Sequence, residues 1–368
     1  MKIAIIDADI IGRKNHRFPN LACMKISGFY KEQSHYVELK LDYSDLESYD
    51  KVFVSKAFTD TYIPEAVLQM GNVEYGGTGF FYDKAPPLPY EIEHHIPDYH
   101  LYDDYIEAQE SKGINKNQYK YYADYSIGFT TRGCFRNCDF CVNKNYNKVT
   151  LHSPLSEFVD SSRKKICLLD DNVLGCSKWK EIFTNLQKSG KPFQFKQGLD
   201  IRLLTDEMCQ IIFKSKYDGE YIFAFDDISE YELIEKKLQL VRKYTDKSLK
   251  LYVFCAFDRK DKWDNEFWAQ DIFDTFKRIE LLMKYRCLPY IMRFEAYNTS
   301  PHRGMYIAIA GWCNMVRVYK TLSFREFCIK DGKNLSRHRY MVEFENKYPS
   351  IGKYMDMKYK GYSNMGQD

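Results

Sequence analysis

Three cysteines lie close together in the segment TTRGCFRNCDFCVN, where Cys134, Cys138 and Cys141 follow a Cys-x3-Cys-x2-Cys spacing. Thiolates are soft ligands that suit zinc and iron–sulfur clusters. Electron-transfer clusters usually take four cysteines, whereas three leave one position open, as catalytic metal sites do. The spacing therefore predicts a metal centre whose open position can be chelated by a small molecule with amino and carboxylate groups.

Two other interpretations of these cysteines stay open when only residue types are considered. Zinc could be bound by the three thiolates together with His152, and zinc or a cluster could then serve a non-catalytic structural module. The spacing could also arise by chance among the 11 cysteines of the chain. Both interpretations are weakened because the cysteines directly follow an apolar, strand-like run that opens a series of strands and helices.

The elements that would position the cysteines form a regular alternation. Helical patterns, such as the stripe Trp179, Ile182, Phe183 and Leu186, separate most of the apolar runs. Alternating strands and helices imply parallel pairing with right-handed crossovers. Six units are too few for a closed eight-unit barrel, so we predict an α/β fold with a partial (β/α)6 TIM-like barrel. The six strand-like runs are 126–130, 166–170, 193–197, 221–225, 251–257 and 289–294.

The preceding part of the chain predicts a second α/β unit. Apolar runs at 2–7, 49–58 and 72–81 surround a helical pattern at 21–31, which is typical of a small Rossmann-like domain. The predicted organisation is thus a Rossmann-like domain at 1–105, a linker at 106–124, the barrel at 125–330 and a C-terminal tail at 331–368. The tail shows no convincing periodicity, so we expect a docking segment or partial disorder there.

Composition sets broad limits on location and partners. The 368 residues carry a formal net charge of +3, which argues neither for nor against a nucleic-acid partner. Asp7 and Asp9 interrupt the first apolar run, which excludes an ordinary signal-peptide core. The sequence contains no run of about 18 apolar residues, so we expect no membrane span. We therefore expect a cytoplasmic protein without a membrane partner, with mostly free or metal-bound thiols.

The cysteine spacing, with aromatic Phe140 directly before the last cysteine, resembles the radical S-adenosylmethionine (SAM) superfamily. The preceding α/β unit resembles, in divergent form, the cobalamin-binding-like Rossmann domain of many members. The resemblance implies one 4Fe–4S cluster on Cys134, Cys138 and Cys141, with SAM bound at the open iron. It further implies reductive cleavage of SAM to a 5′-deoxyadenosyl radical, supplied with electrons by a reductant such as flavodoxin or ferredoxin. The substrate, whether a nucleic-acid base, a peptide or a small molecule, is not identified.

The resemblance also implies SAM contacts near the cysteines. Phe140 would pack near the adenine, and Asp170, Asp171 and Asn172, after the second strand, would accept hydrogen bonds from the amino group of SAM. An alternative is that these three residues only cap the helix that follows.

Three later residues are further candidates for SAM binding. Gln197 and Arg202 follow the third strand, and an arginine there can clasp a carboxylate through two hydrogen bonds. A simple surface ion pair is the alternative for Arg202. Asp226 follows the fourth strand, where the ribose hydroxyls of SAM need acceptors.

Cobalamin is not predicted as a second cofactor, although binding without a protein imidazole stays open. Cobalamin ligation typically uses Asp-x-His-x-x-Gly soon after the first strand. Asp98 and His100 imitate the beginning of that motif, but Asp103 stands in the glycine position and the segment lies too far along the chain. The glycine-rich stretch 76–80 could let the backbone approach a ligand closely.

Overall fold

The computed structural model describes residues 1–141, 143, 146–332 and 335–359. The chain divides into two compact units, Met1–Gln197 and Gly198–Asp368. This division falls inside the segment predicted as a barrel, and the four domain ranges given above stay predictions.

The first unit begins with a parallel sheet whose strand order is β2-β1-β3-β4. Ile3, Ile5 and Ile6 of β1 have no exposed surface, because helices cover both faces of a parallel sheet. The predicted small α/β arrangement is therefore present. Strand β2 was not predicted, since only Val37 of its four residues is buried. The elements are β1 (Lys2–Asp7), α1 (Ala8–Gly12), α2 (Leu21–Glu32), β2 (Tyr36–Leu39), β3 (Lys51–Ser55), α3 (Glu65–Leu68), β4 (Val73–Gly76) and α4 (Thr78–Phe81).

The connection that follows this sheet contains three helices: α5 (Tyr90–Glu93), α6 (Asp103–Ser111) and α7 (Lys120–Ala123). The predicted linker, 106–124, falls within this stretch and stays a prediction. The segment contributes buried tyrosines, Tyr99, Tyr102, Tyr105, Tyr119 and Tyr122, to the core that covers β1. The sequence did not show a helical period here, because tyrosines alternate with acidic residues. The segment therefore reads as polar, although its phenol rings are buried.

A second parallel sheet in the first unit has the strand order β5-β8-β9. Between its first two strands, β6 and β7 pair in antiparallel fashion and enclose residues 133–149, which carry the three cysteines. The helix α8 buries Ile182, Phe183 and Leu186, as its apolar stripe predicted. The elements are β5 (Tyr125–Gly128), β6 (Thr131–Arg132), β7 (Thr150–Leu151), β8 (Lys165–Leu168), α8 (Trp179–Lys188) and β9 (Phe193–Phe195).

The second unit contains a parallel sheet of strand order β10-β11-β12. Its longest helix, α11, begins after Asp264, whose carboxylate accepts a hydrogen bond from the Phe267 N–H at 2.8 Å, a standard N-cap. The elements are α9 (Asp206–Lys214), β10 (Tyr221–Ala224), α10 (Tyr231–Arg242), β11 (Leu249–Cys255), α11 (Asn265–Lys284), β12 (Cys287–Arg293), α12 (Arg303–Cys313), α13 (Val316–Thr321), α14 (Phe324–Ile329), α15 (Ser336–Lys347) and α16 (Gly352–Met355).

The C-terminal segment is not a loose tail over its described residues. Helices α15 and α16 bury Met341, Phe344, Tyr354 and Met355 against the second unit. The aromatic ring of Phe344 lies 4.8 Å from the His302 ring, centroid to centroid. The apolar residues are divided between two helices and an intervening turn, so the sequence shows no single period. The part of the predicted tail at 360–368 lies outside the described residues.

All six predicted strand-like runs contain or overlap observed strands. In the described part of the chain they form two three-stranded parallel sheets, β5-β8-β9 and β10-β11-β12. An α/β fold with parallel sheets is thus confirmed. No helix among the described residues has the length and apolar character needed to cross a membrane.

Candidate metal centre

The hairpin that carries the cysteines is fixed at its base by Asp170. This residue follows β8 and is fully buried. Its carboxylate accepts hydrogen bonds from the N–H groups of Thr130 (3.1 Å) and Thr131 (2.6 Å) and from both hydroxyls (2.6 and 2.7 Å). Burial raises the pKa of Asp170, and these hydrogen bonds oppose the shift. Four donors around one buried carboxylate position the entry to the cysteine loop.

The neighbouring Asp171 holds two points within the loop. Its carboxylate accepts the Gly133 N–H at 2.9 Å and the Asn143 side-chain amide at 2.6 Å. Gly133 has a positive φ of 92°, and a Cβ at this position would lie 2.5 Å from the Lys148 carbonyl oxygen. Only glycine fits there, because a side chain would be strained and would also collide with backbone.

The three thiols differ from the other cysteines in exposure. Cys134, Cys138 and Cys141 are partly exposed, whereas the other eight cysteines are buried. The Cys134 sulfur accepts a hydrogen bond from the Asn172 side-chain amide at 3.4 Å, and the Cys141 sulfur accepts the Asn143 N–H at 3.4 Å. Such N–H donors to sulfur tune the potential of cysteine-bound clusters. The donor set therefore suits a cluster better than a buried structural role.

The described thiols do not form a single-ion site. In the ranges that the structure describes, no three His, Cys, Asp or Glu side chains lie close enough together to hold one metal ion. The cysteines of a cubane cluster bind different iron atoms, so they need not meet at one point. Three thiolates in one loop fit a cluster by their chemistry.

His152 does not support the alternative Cys3His zinc site. Its Nε2 lies 3.3 Å from a carboxylate oxygen of Glu93, and its Nδ1 lies 3.0 Å from the Ser153 hydroxyl. The imidazole is thus engaged on both sides by other residues. Sequence reasoning missed Glu93, because its partners are distant in the chain.

The remaining predicted residues of the first unit lie near strand ends. Phe140 is partly buried within the cysteine loop, and Gln197 is exposed after β9. Among the predicted residues, the structure brings together Asp171, Asn172 and Cys134. Asp170, in contrast, is enclosed by threonines, and its carboxylate contacts their backbone and hydroxyl groups.

Arg202 and Asp226 belong to the second unit. The Arg202 guanidinium donates to Asp200 at 2.7 Å and to Glu230 at 2.8 Å, which agrees with the ion-pair alternative for this residue. Asp226 accepts the Phe254 N–H at 3.0 Å. Burial raises the pKa of Asp226 to about 6, and the positive charge of Arg278 opposes that shift.

The apparent cobalamin motif and the glycine-rich stretch have other partners. The His100 imidazole lies 2.7 Å from a carboxylate oxygen of Asp103, and Asp98 accepts hydrogen bonds from Ser27 and Lys31. A Cβ on Gly77 would lie 2.4 Å from the Lys56 carbonyl oxygen. Gly77 therefore allows close packing of two backbone segments, where the sequence suggested room for a ligand.

Comparisons with known proteins bear on the fold. No protein-family model matches the chain, and no curated protein matches it. Among solved structures, the chain is similar to a radical SAM methyltransferase, TsrM, from Kitasatospora setae, determined with cobalamin and a [4Fe–4S] cluster bound. The match covers 80% of this chain and 75% of that chain, with a TM-score of 0.52 at 10% identity. The chain therefore has a fold similar to that of a radical SAM methyltransferase, in agreement with the resemblance of its cysteine motif to the radical SAM superfamily.

Proposed function

We propose that this protein is a radical SAM enzyme whose single 4Fe–4S cluster is held by Cys134, Cys138 and Cys141. One observation supports the proposal most strongly. The three partly exposed thiols share one loop, fixed at the carboxyl end of β8 by Asp170, Asp171 and Asn172. Sites in parallel α/β folds lie beyond the carboxyl ends of the strands, and the fold is similar to that of a radical SAM enzyme.

In this proposal the protein residues hold and orient the cofactors, and the cofactors supply the chemistry. When bound, the cluster would supply the electron for reductive cleavage of SAM to methionine and a 5′-deoxyadenosyl radical. Three thiolates would leave one iron open for the amino and carboxylate groups of SAM. The Asn172 amide would orient Cys134, and Asp171 would set the start of the loop through Gly133. Asp170 would act as a positioning residue, since its carboxylate is buried and surrounded by donors.

Other residues keep proposed roles in SAM binding. Phe140 would contact the adenine, and Gln197, which is exposed, would contact SAM. Arg202 would have to exchange its contacts with Asp200 or Glu230 for the SAM carboxylate. Asp226 would accept a ribose hydroxyl.

Cobalamin is a second candidate cofactor. The sequence argued against it, but the comparison does not support that prediction, because the similar structure holds cobalamin. The described contacts do not identify an imidazole ligand, since His100 is engaged with Asp103. Reconstitution with hydroxocobalamin, followed by desalting and a visible spectrum, decides whether the chain retains it.

The finer architectural and cellular predictions remain part of this proposal. They comprise the partial (β/α)6 barrel, the four domain ranges, a cytoplasmic location and a reductant such as flavodoxin or ferredoxin. The substrate stays unidentified among nucleic-acid bases, peptides and small molecules.

The proposal is tested by anaerobic reconstitution with iron and sulfide. The wild-type protein should bind about four irons, absorb broadly in the visible range and convert SAM to 5′-deoxyadenosine after reduction with dithionite. Cys138→Ala should lose both the cluster and the cleavage. Cys209→Ala is the matched control, because it removes a buried thiol in α9 of the second unit and should keep both.

Two results would overturn the proposal. One is stoichiometric zinc in the wild-type protein without uptake of iron, which would favour the structural module. The other is unchanged iron content in Cys138→Ala, which would place the cluster elsewhere.

A further inference from the structure

Glu93, at the C-terminal end of α5, is the centre of a charge cluster beside the cysteine hairpin. One carboxylate oxygen of Glu93 lies 3.0 Å from the Lys25 Nζ, 3.3 Å from the His152 Nε2 and 3.8 Å from an Arg132 guanidinium nitrogen. The Lys25 ammonium also donates to the Glu93 carbonyl oxygen. One carboxylate thus faces three basic side chains from different parts of the first unit.

The cluster is largely shielded from water. The side chains of Lys25, Glu93 and His152 are 5%, 16% and 15% exposed. Burial would raise the pKa of Glu93, but its bonds with His152 and Lys25 and the charge of Arg132 lower it to about 2. Burial lowers the pKa of Lys25, and Glu93 opposes that shift. Glu93 is therefore charged at neutral pH, and truncating it would leave Lys25 buried without its counter-ion.

Two partners of Glu93, Arg132 and His152, lie at the two ends of the hairpin that open into and close the cysteine loop. Arg132 ends β6, two residues before Cys134, and His152 directly follows β7. The His152 N–H also donates to the Thr130 carbonyl oxygen at 2.9 Å. Because the cysteine loop begins and ends between these strands, the side chain of Glu93 fixes both ends of the loop.

A second set of contacts holds the same hairpin from the other direction. Asp170 and Asp171 bind Thr130, Thr131 and Gly133 through backbone and hydroxyl groups. Those contacts tie the hairpin to β8, whereas Glu93 ties it to α2 and α5 beside the N-terminal sheet. The two sets rest on different acidic side chains, Asp170 and Asp171 in one and Glu93 in the other.

We infer that Glu93 is a positioning residue of the cluster loop. Its side chain links the cysteine hairpin to the N-terminal sheet and compensates the positive charge at the base of the loop. The part of this inference that concerns the cluster rests on the proposed function. The part that concerns the order of the loop does not, because the apoprotein already contains every contact.

The first test measures amide hydrogen exchange in the apoprotein. Glu93→Gln keeps the size of the side chain but removes its charge, so its bonds with Lys25, Arg132 and His152 weaken. Exchange across residues 129–153 should become about tenfold faster, since bonds to charged groups are the stronger ones. Glu32→Gln is the matched control: Glu32 also pairs with a histidine, His95 at 2.8 Å, but its side chain is 75% exposed, and exchange in 129–153 should not change.

The second test measures the midpoint potential of the reconstituted cluster. Loss of the negative charge in Glu93→Gln leaves Lys25 and Arg132 uncompensated, and a more positive surrounding favours the reduced cluster. The potential should become less negative than that of the wild type, while Glu32→Gln keeps the wild-type value. If Glu93 only holds the loop in place and its charge has no effect on the cluster, Glu93→Gln would loosen the loop without making the midpoint potential less negative.

The outcomes separate the two proposals. If Glu93→Gln exchanges at the wild-type rate in 129–153, the inference is wrong even when the wild type binds a cluster. If the wild type binds no cluster, the proposed function fails, and the exchange experiment still decides whether Glu93 orders the loop. Should Glu93→Gln not fold, His152→Gln replaces it, because this variant removes a hairpin contact and leaves the Lys25–Glu93 pair intact; unchanged exchange in it would contradict the inference.

Discussion

At the scale of single residues, exposure distinguishes the three candidate ligands from the other thiols. A metal ligand needs a sulfur that a cofactor can reach, and Cys134, Cys138 and Cys141 are partly exposed. Buried cysteines such as Cys255, whose pKa is raised by burial, behave as small apolar residues. The sulfurs of Cys134 and Cys141 also accept hydrogen bonds from the Asn172 side-chain amide and the Asn143 N–H.

Asp226 predicts, also at the scale of a single residue, a pH dependence of stability that can be tested. Its folded-state pKa of about 6 exceeds the unfolded value of about 3.9, so its protonated form is favoured by folding. The stabilisation is complete below about pH 4 and is lost as the pH rises through about 6. Asp226→Asn is neutral throughout and keeps an acceptor for the Phe254 N–H. We therefore expect the free energy of unfolding of this variant, relative to that of the wild type, to increase by about 2 kcal/mol as the pH rises from 4 to 7.

The measurement is the free energy of unfolding in urea for both proteins across that range. Other groups with raised pKa values, such as Asp7 at about 7, cancel in the difference between variant and wild type. A difference that stays constant with pH would show that the Asp226 carboxyl is not perturbed by burial.

At the scale of elements, the β6–β7 hairpin determines where the thiols lie. Gly133 and Gly113 both have positive φ angles, 92° and 82°, but a Cβ on Gly113 meets nothing within 4 Å. Gly113→Ala should therefore lose only about 1 kcal/mol, the cost of a left-handed backbone. Gly133→Ala should lose at least about 2 kcal/mol more, because the Lys148 carbonyl must move.

Urea unfolding of the two apoproteins checks this comparison, and iron content after reconstitution shows its consequence for the site. We expect Gly113→Ala to bind iron like the wild type and Gly133→Ala to bind less. Equal losses of stability in the two variants would mean that the hairpin tolerates a side chain at Gly133.

At the scale of the whole molecule, the C-terminal helices belong to the core of the second unit. Phe344 is 1% exposed, so Phe344→Ala should destabilise the protein by about 3 kcal/mol or more. Arg339→Ala lies on the same helix with its side chain 64% exposed and should change stability by less than about 0.5 kcal/mol. Thermal unfolding of both variants is the measurement, and a wild-type midpoint for Phe344→Ala would restore the interpretation of a loose tail.

The fold of the whole chain also bears on the cofactors. A structure with similar fold carries both cobalamin and a [4Fe–4S] cluster, while this chain engages its candidate imidazole, His100, with Asp103. The candidate cluster ligands could be predicted from local spacing, but a cobalamin site depends on the shape of a domain. That is why the sequence offers candidate ligands for a cluster and no comparable signal for or against cobalamin.

The amino-acid sequence by itself determined the three candidate ligands and the strands that precede and follow them. Ligand spacing lies within eight residues, and strand runs are local patterns of apolar side chains. Only the tertiary structure decided what holds the loop, because Asp170 meets Thr130 across 40 residues and Glu93 meets Lys25 across 68. It likewise decided that the tyrosines at 99–122 and the C-terminal helices are buried, since burial is a property of the neighbours that folding brings together.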